Sequence, residues 1–230
     1  MERAVQSRRL VWVALYAGAM AYVEAAAVVY LRRVLGVTDL IRDVAPFDAF
    51  ISRVEVGREL STLIMIAAVG WAVGRSAQAR WAIAWFAFGL WDIAYYFWLR
   101  VFLGWPTSLL DPDILFLIPL PWWGPVLTPV LIALLGVAGG AWAVAIDDAG
   151  GVIRPGPVRW TAFFGGTLIV LYAFMADAIS ALPASAEQLG RLKPTAFLWL
   201  VYASGLLLMT WSALSSLLAA HRSRAGARAV

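Results

Sequence analysis

Glu24, Asp92 and Asp177 each lie inside an apolar stretch long enough to cross a lipid bilayer. An ionisable side chain in hydrocarbon costs at least about 2.5 kcal/mol, so each acid calls for a partner, a wet cavity or a chemical task. The chemistry open to such carboxyls is proton transfer or the binding of a cation. Asp92 is the deepest of the three. Helical spacing puts Trp85, Phe88, Asp92, Tyr95 or Tyr96, and Leu99 on one face, so aromatic rings flank the acid one turn to either side. A protonated Asp92 can donate its proton, and an ionised one can hold a cation that the ring faces also attract.

Glu55, Arg58 and Glu59 follow one another at spacings of three and four at the head of the second apolar stretch. With Tyr95, Tyr96, Arg100, Trp122 and Trp123 they are the candidates for binding a substrate. Each acid also has a plainer reading. Local ion pairs at a solvated helix start would explain Glu55, Arg58 and Glu59. Pairing with an arginine would explain Glu24, and a role at a helix end, before Ser180 and Pro183, would explain Asp177.

Other chemistry is excluded by composition. The chain has no cysteine, and its single histidine, His221, lies in a basic tail. Thiolate nucleophiles, disulfides and thiolate metal sites are ruled out, and haem ligation by paired histidines and Ser-His-Asp catalysis are not expected. No metal and no cofactor are expected. The net charge is +4, nearly all from arginine. The arginines sit at the ends of apolar segments, where they anchor helices at the headgroups, so nucleic acid is not an expected partner.

The elements that must position these residues are membrane helices. Of 230 residues 63% are hydrophobic and 14% charged, and the mean hydropathy is +0.80. A soluble domain is nearer half apolar and a quarter charged. The expected fold is all-α: one polytopic transmembrane domain, 1–230, with six spans near 10–31, 56–74, 81–102, 125–146, 160–182 and 195–220. A polar interfacial loop, 32–54, carries a rough helical stripe that suits an amphipathic helix or a cap over the bundle. Between the third and fourth spans, Ile118-Pro119-Leu120-Pro121-Trp122-Trp123-Gly124-Pro125 is full of helix breakers. Residues 113–124 therefore read as a short broken, interfacial or re-entrant segment. Gly70-xxx-Gly74 and Gly136-xxx-Gly140 are candidate close helix contacts.

Six spans put both termini on one side. That side carries ten basic residues against eight on the other, a slight bias towards cytoplasmic termini in a bacterial inner membrane. Placed in this topology, Glu24, Asp92, Asp177, Glu55, Arg58 and Glu59 all fall in the outer half of the bilayer, which suits one polar cavity closed on the inner side.

Trp91-Asp92-Ile93-Ala94-Tyr95 resembles the Trp-Glu-x-x-Tyr stretch of small membrane-bound terpene cyclases, with Asp in place of Glu. The resemblance covers five residues and does not place the chain in that family. It implies Asp92 as the acid, with Glu24 or Asp177 as its partner, and an isoprenoid substrate. The expected function is thus a membrane enzyme using carboxyl acid–base chemistry on a small lipid-soluble substrate. The alternatives are a proton- or cation-coupled transporter and a non-catalytic subunit of a membrane complex. Expected partners are membrane lipids, the hydrophobic substrate, and either other membrane subunits or further copies of the chain.

Overall fold

The computed structural model describes residues 2–38, 43 and 48–227. The chain is helical, in the order α1 (Glu2–Leu35), α2 (Ala49–Val73), α3 (Ala77–Leu103), β1 (Pro112–Phe116), β2 (Trp122–Pro125), α4 (Leu127–Asp148), α5 (Pro157–Ser180), α6 (Ala186–Gly190) and α7 (Trp199–Ala227). All but α6 are long and apolar enough to cross a membrane. Large apolar side chains such as Trp12, Leu60, Ile64, Leu168 and Leu200 project outward from them, the arrangement that hydrocarbon in place of water permits. The six-span, all-α expectation therefore holds. Every span shifts at its ends, and two shifts bear on the site: α1 continues past Leu31 to Leu35, and α2 starts at Ala49, where Asp48 caps it by accepting from the Phe50 and Ile51 amides at 2.8 and 3.0 Å. Most of the interfacial stretch between these helices lies outside the described residues.

The third span is the centre of the bundle, packed on α1, α2 and α4, while α5 packs on α7. Small residues set the close spacing. A Cβ on Gly140 would lie 2.5 Å from the Ala82 carbonyl oxygen, and one on Gly70 would lie 2.6 Å from that of Arg80. Both glycine pairs singled out in the sequence thus seat neighbouring helices on α3.

Two polar clusters mark opposite ends of the bundle. At one, Arg9 of α1 pairs with Asp148 of α4, and Ser76, the N-cap of α3, donates to Asp147 at 2.5 Å. Val13, Ala17, Ile83, Ala87 and Val144 pack into a dry core towards that end. At the other end sits the segment expected to be broken. It is a β-hairpin: β1 and β2 pair antiparallel, with Pro112 opposite Pro125, Asp113 opposite Gly124, and Ile114 opposite Trp123. Proline cannot donate to a ladder, and here it ends the strands. Gly124 has no room for a side chain, since a Cβ would meet the Phe174 ring at 3.0 Å. The Val126 and Leu127 amides then donate back to the Asp111 and Leu109 carbonyls at 3.0 and 2.7 Å, which fixes the hairpin at the head of α4.

Candidate functional site

A cavity of about 510 Å³ runs from the hairpin end into the middle of the bundle. Its walls come from α1, α2, α3, the hairpin, α4 and α5, and Met209 of α7 closes part of its floor. Along α3 the rings of Trp85, Phe88, Trp91, Tyr95 and Tyr96 form a continuous aromatic side, with successive centroids 5.3–6.2 Å apart. Trp122 and Phe174, stacked at 6.1 Å and 12°, line the same hollow. The hollow is apolar in its depth and charged towards the hairpin.

Three of its carboxyls are held. Glu24 accepts from the Arg58 guanidinium and from the Thr62 hydroxyl, and Arg58 also donates to Glu55 at 2.9 Å. Glu24 and Thr62 are buried. Glu59, also buried, accepts the Leu117 amide at 2.9 and 3.1 Å on its two oxygens, so α2 holds the turn of the hairpin. Glu55, Arg58 and Glu59 are therefore not a solvated helix start but a brace between α1, α2 and the hairpin.

Asp113 of β1 is a further buried carboxyl. It accepts from the Tyr96 hydroxyl at 3.1 Å and lies 4.0 Å from the Arg32 guanidinium, which in turn sits over Trp105 at 4.5 Å. Burial raises the Asp113 pKa to about 6, and Arg32 and the Tyr96 hydroxyl oppose that rise.

Asp92 is different. It is 8% exposed, lines the cavity, and has no cation within ion-pair distance among the described residues. Its Oδ2 is buried without a hydrogen-bond partner. The indole N–H groups of Trp91 and Trp122, also on the cavity, are buried and unpartnered too. Buried polar atoms in folded proteins nearly always find partners, so these three stand out in the walls of the hollow.

Of the residues singled out in the sequence, Glu24, Asp92, Glu55, Arg58, Glu59, Tyr95, Tyr96, Trp122 and Trp123 line this cavity. Asp177 does not. It faces a second hollow, of about 630 Å³, and accepts from the Thr195 amide at 3.0 Å and from the Thr195 hydroxyl, tying the end of α5 to the approach to α7. Arg100 turns away as well, donating to the Gly104 and Pro106 carbonyls at the end of α3. Leu99 packs with Ala25 and Val126 rather than beside Asp92.

Arg32, Thr62 and Asp113 escaped the sequence reading. Glu24, Val28 and Arg32 fall at spacings of four on one helix face, a signal hidden by ending the first span at Leu31. Asp113 could not be found that way, because its depth depends on the hairpin. Among the described residues no cluster of His, Asp or Glu is arranged to hold a metal ion. No protein-family model, curated protein or solved structure matches the chain.

Proposed function

We propose that this chain is an integral membrane enzyme that isomerises or cyclises a lipid-soluble substrate of isoprenoid type, with Asp92 as the acid. One observation carries the reading: among the described residues Asp92 is the buried carboxyl of the cavity without an arginine or an amide to hold it, and it lies among aromatic rings. A carboxyl so placed can protonate a carbon–carbon double bond pressed against it. The carbocation formed would lie against the faces of Trp91, Phe88 and Tyr95, whose π-electrons attract positive charge. Loss of a proton from a neighbouring carbon to the Asp92 carboxylate would restore the acid, so the reaction balances without an oxidant or a cofactor. Glu24, committed to Arg58 and Thr62, would act as a fixed charge that shapes the mouth rather than as a second acid.

The test is turnover by purified protein in mixed micelles with polyprenoid lipids, followed by mass spectrometry of the extract. An isomer of unchanged mass should form with the wild type. Asp92→Asn should lower its rate by about 100-fold or more, while substrate still co-purifies. Equal rates in both proteins would sink the assignment.

A proton- or cation-coupled carrier is the second reading. What favours it is the closure of the far end by the dry core and the Arg9–Asp148 pair, which leaves a blind cavity holding an unpaired acid. In that case Asp92→Asn abolishes pH-dependent uptake into liposomes, and no chemically altered lipid is found.

A further inference from the structure

The lining of the cavity is exposed in two places. Among the described residues these are Trp85, on α3, and Gly190 with Arg191, in the link between α5 and α7 at the hairpin end. Trp85 is 40% exposed, and of the residues that α3 gives to the hollow it is the nearest to the Ala77 end of that helix. At about 1.5 Å per residue it lies about 12 Å from that end and about 27 Å from the Leu103 end, which puts it within the roughly 30 Å of hydrocarbon and not at a headgroup layer. From this placement we infer that the cavity opens sideways into the bilayer, between α2 and α5, and that a membrane-resident lipid chain enters there without passing through water. The inference rests on the reading that the substrate is lipid-soluble.

Helix packing leaves that side unsealed. α2 packs on α3, and α5 packs on α7 and on β2; no packed interface joins α2 to α5 among the described residues. The hairpin ties the two at its own level, where Glu59 of α2 accepts the Leu117 amide at 2.9 and 3.1 Å and Trp122 stacks on Phe174 of α5 at 6.1 Å. Deeper in the bundle the lining comes from Thr62 of α2 and from Thr167, Val170 and Leu171 of α5. Thr62 donates to Glu24, and Thr167 donates to the Phe163 carbonyl of its own helix at 2.8 Å, so both hydroxyls are satisfied without a passing chain.

The other opening is charged. Lys193 donates to the Asp43 carbonyl at 2.7 Å, joining the link between α6 and α7 to the link between α1 and α2, and Arg191 pairs with Glu187 at 2.7 Å. A hydrocarbon chain taking that route leaves the bilayer, crosses water and passes these charges. A chain entering beside Trp85 stays in apolar surroundings throughout. Inside it meets Phe88, Ile132 and Met209, with Asp92 one turn beyond Phe88 on α3.

The experiment places the purified full chain in liposomes containing a phosphatidylcholine with a diazirine in the middle of one acyl chain. After photolysis the adducts are mapped by peptide mass spectrometry. They are expected on Leu207, which projects outward at 69% exposure, and also on Met209, which is 4% exposed and lines the hollow. Thr167→Trp narrows the side opening and should lower the Met209 adduct about 10-fold relative to that on Leu207. Gly190→Trp, at the charged opening, should leave the ratio unchanged. The Leu207 adduct and the helical circular dichroism report that each variant is inserted and folded. A Met209 adduct lowered by Gly190→Trp and not by Thr167→Trp would move the entrance to the charged end and overturn the sideways opening, while the lipid-soluble reading stands. Labelling confined to outward-facing residues in the wild type would overturn it as well. The enzyme reading fails separately, when polyprenoid lipids are not turned over although Met209 is labelled.

Discussion

The Arg58 guanidinium of α2 is hydrogen-bonded to the Glu24 carboxylate of α1, across a gap that no other ion pair among the described residues bridges. This contact separates the parts that the cavity's carboxyls can play. Glu24 is committed to it and to Thr62, and Asp92, on the next wall, has no such commitment. Removing one partner of a partly buried pair leaves the other charge uncompensated. Glu24→Ala should therefore destabilise the protein by roughly 2–4 kcal/mol, whereas Asp92→Asn should leave the melting temperature in detergent unchanged or higher. Thermal unfolding of the two variants side by side checks this. An Asp92 variant that melts well below the Glu24 variant would mean that Asp92 has a structural partner.

The turn of the hairpin hangs on Glu59. Its two oxygens take the Leu117 amide, the hydrogen bond from α2 to the hairpin among the described residues. Glu59→Ala leaves that amide without its acceptor at a cost of about 1–3 kcal/mol. Amide hydrogen exchange should rise over 115–123, while the cores of α3 and α4 keep their protection. Global loss of protection would show that Glu59 supports the bundle as a whole.

Stability should fall as pH rises through the range set by Asp113. Its pKa in the folded chain is about 6, above the ordinary 3.8. The folded state thus holds the proton more tightly than the unfolded state between those values. Below pH 3.8 the group costs nothing; the penalty grows as pH rises towards 6 and is complete above it, at roughly 3 kcal/mol as an upper limit. Melting curves from pH 4 to 7 should show this downward slope, and Asp113→Asn should flatten it. A slope unchanged by Asp113→Asn would assign it to another group.

Close packing between α3 and α4 gives a prediction with its own control. A Cβ on Gly89 would lie 2.3 Å from the Ala133 carbonyl oxygen, whereas Gly139, on the same pair of helices, faces open space. Gly89→Ala should cost about 2–3 kcal/mol, since backbone must shift to admit the methyl group, and Gly139→Ala should be neutral or slightly stabilising. Parallel unfolding of the two in detergent decides it; equal effects would mean that α3 and α4 slide to absorb the methyl.

Asp177, although it sits in an apolar stretch like the other two acids, should prove structural. It holds Thr195 through both the amide and the hydroxyl, and it faces a hollow separate from the one lined by Asp92. Asp177→Asn should lower stability by about 1 kcal/mol and change turnover by less than about 2-fold, equivalent to about 0.4 kcal/mol. A 100-fold loss of turnover with normal stability would return Asp177 to the chemistry.

The sequence by itself determined the solvent and the class. Hydropathy and length are local sums, so six spans, their approximate ends and an apolar circumference can be read without knowing any contact. It also put Glu24, Glu55 and Arg58 at a common depth, because alternating spans convert position in the chain into depth. The face of α3 was legible for the same reason: the period of 3.6 that carries Trp85, Phe88, Asp92 and Tyr95 to one side is a property of the helix alone. Only the tertiary structure decided which acids face one another. Glu24 meets Arg58 because of where α1 and α2 sit against α3, and Asp177 falls into a different hollow because α5 packs on α7. The proline-rich segment announced that it could not be a helix, but its pairing as a hairpin requires Ile114 to find Trp123, a partner chosen by the ladder and not by either residue's own preference. That hairpin brings Asp113 to Tyr96 and Arg32, and Trp122 to Phe174. Partner choice is a property of packing in space, which local pattern does not encode, and the cavity consists of such choices.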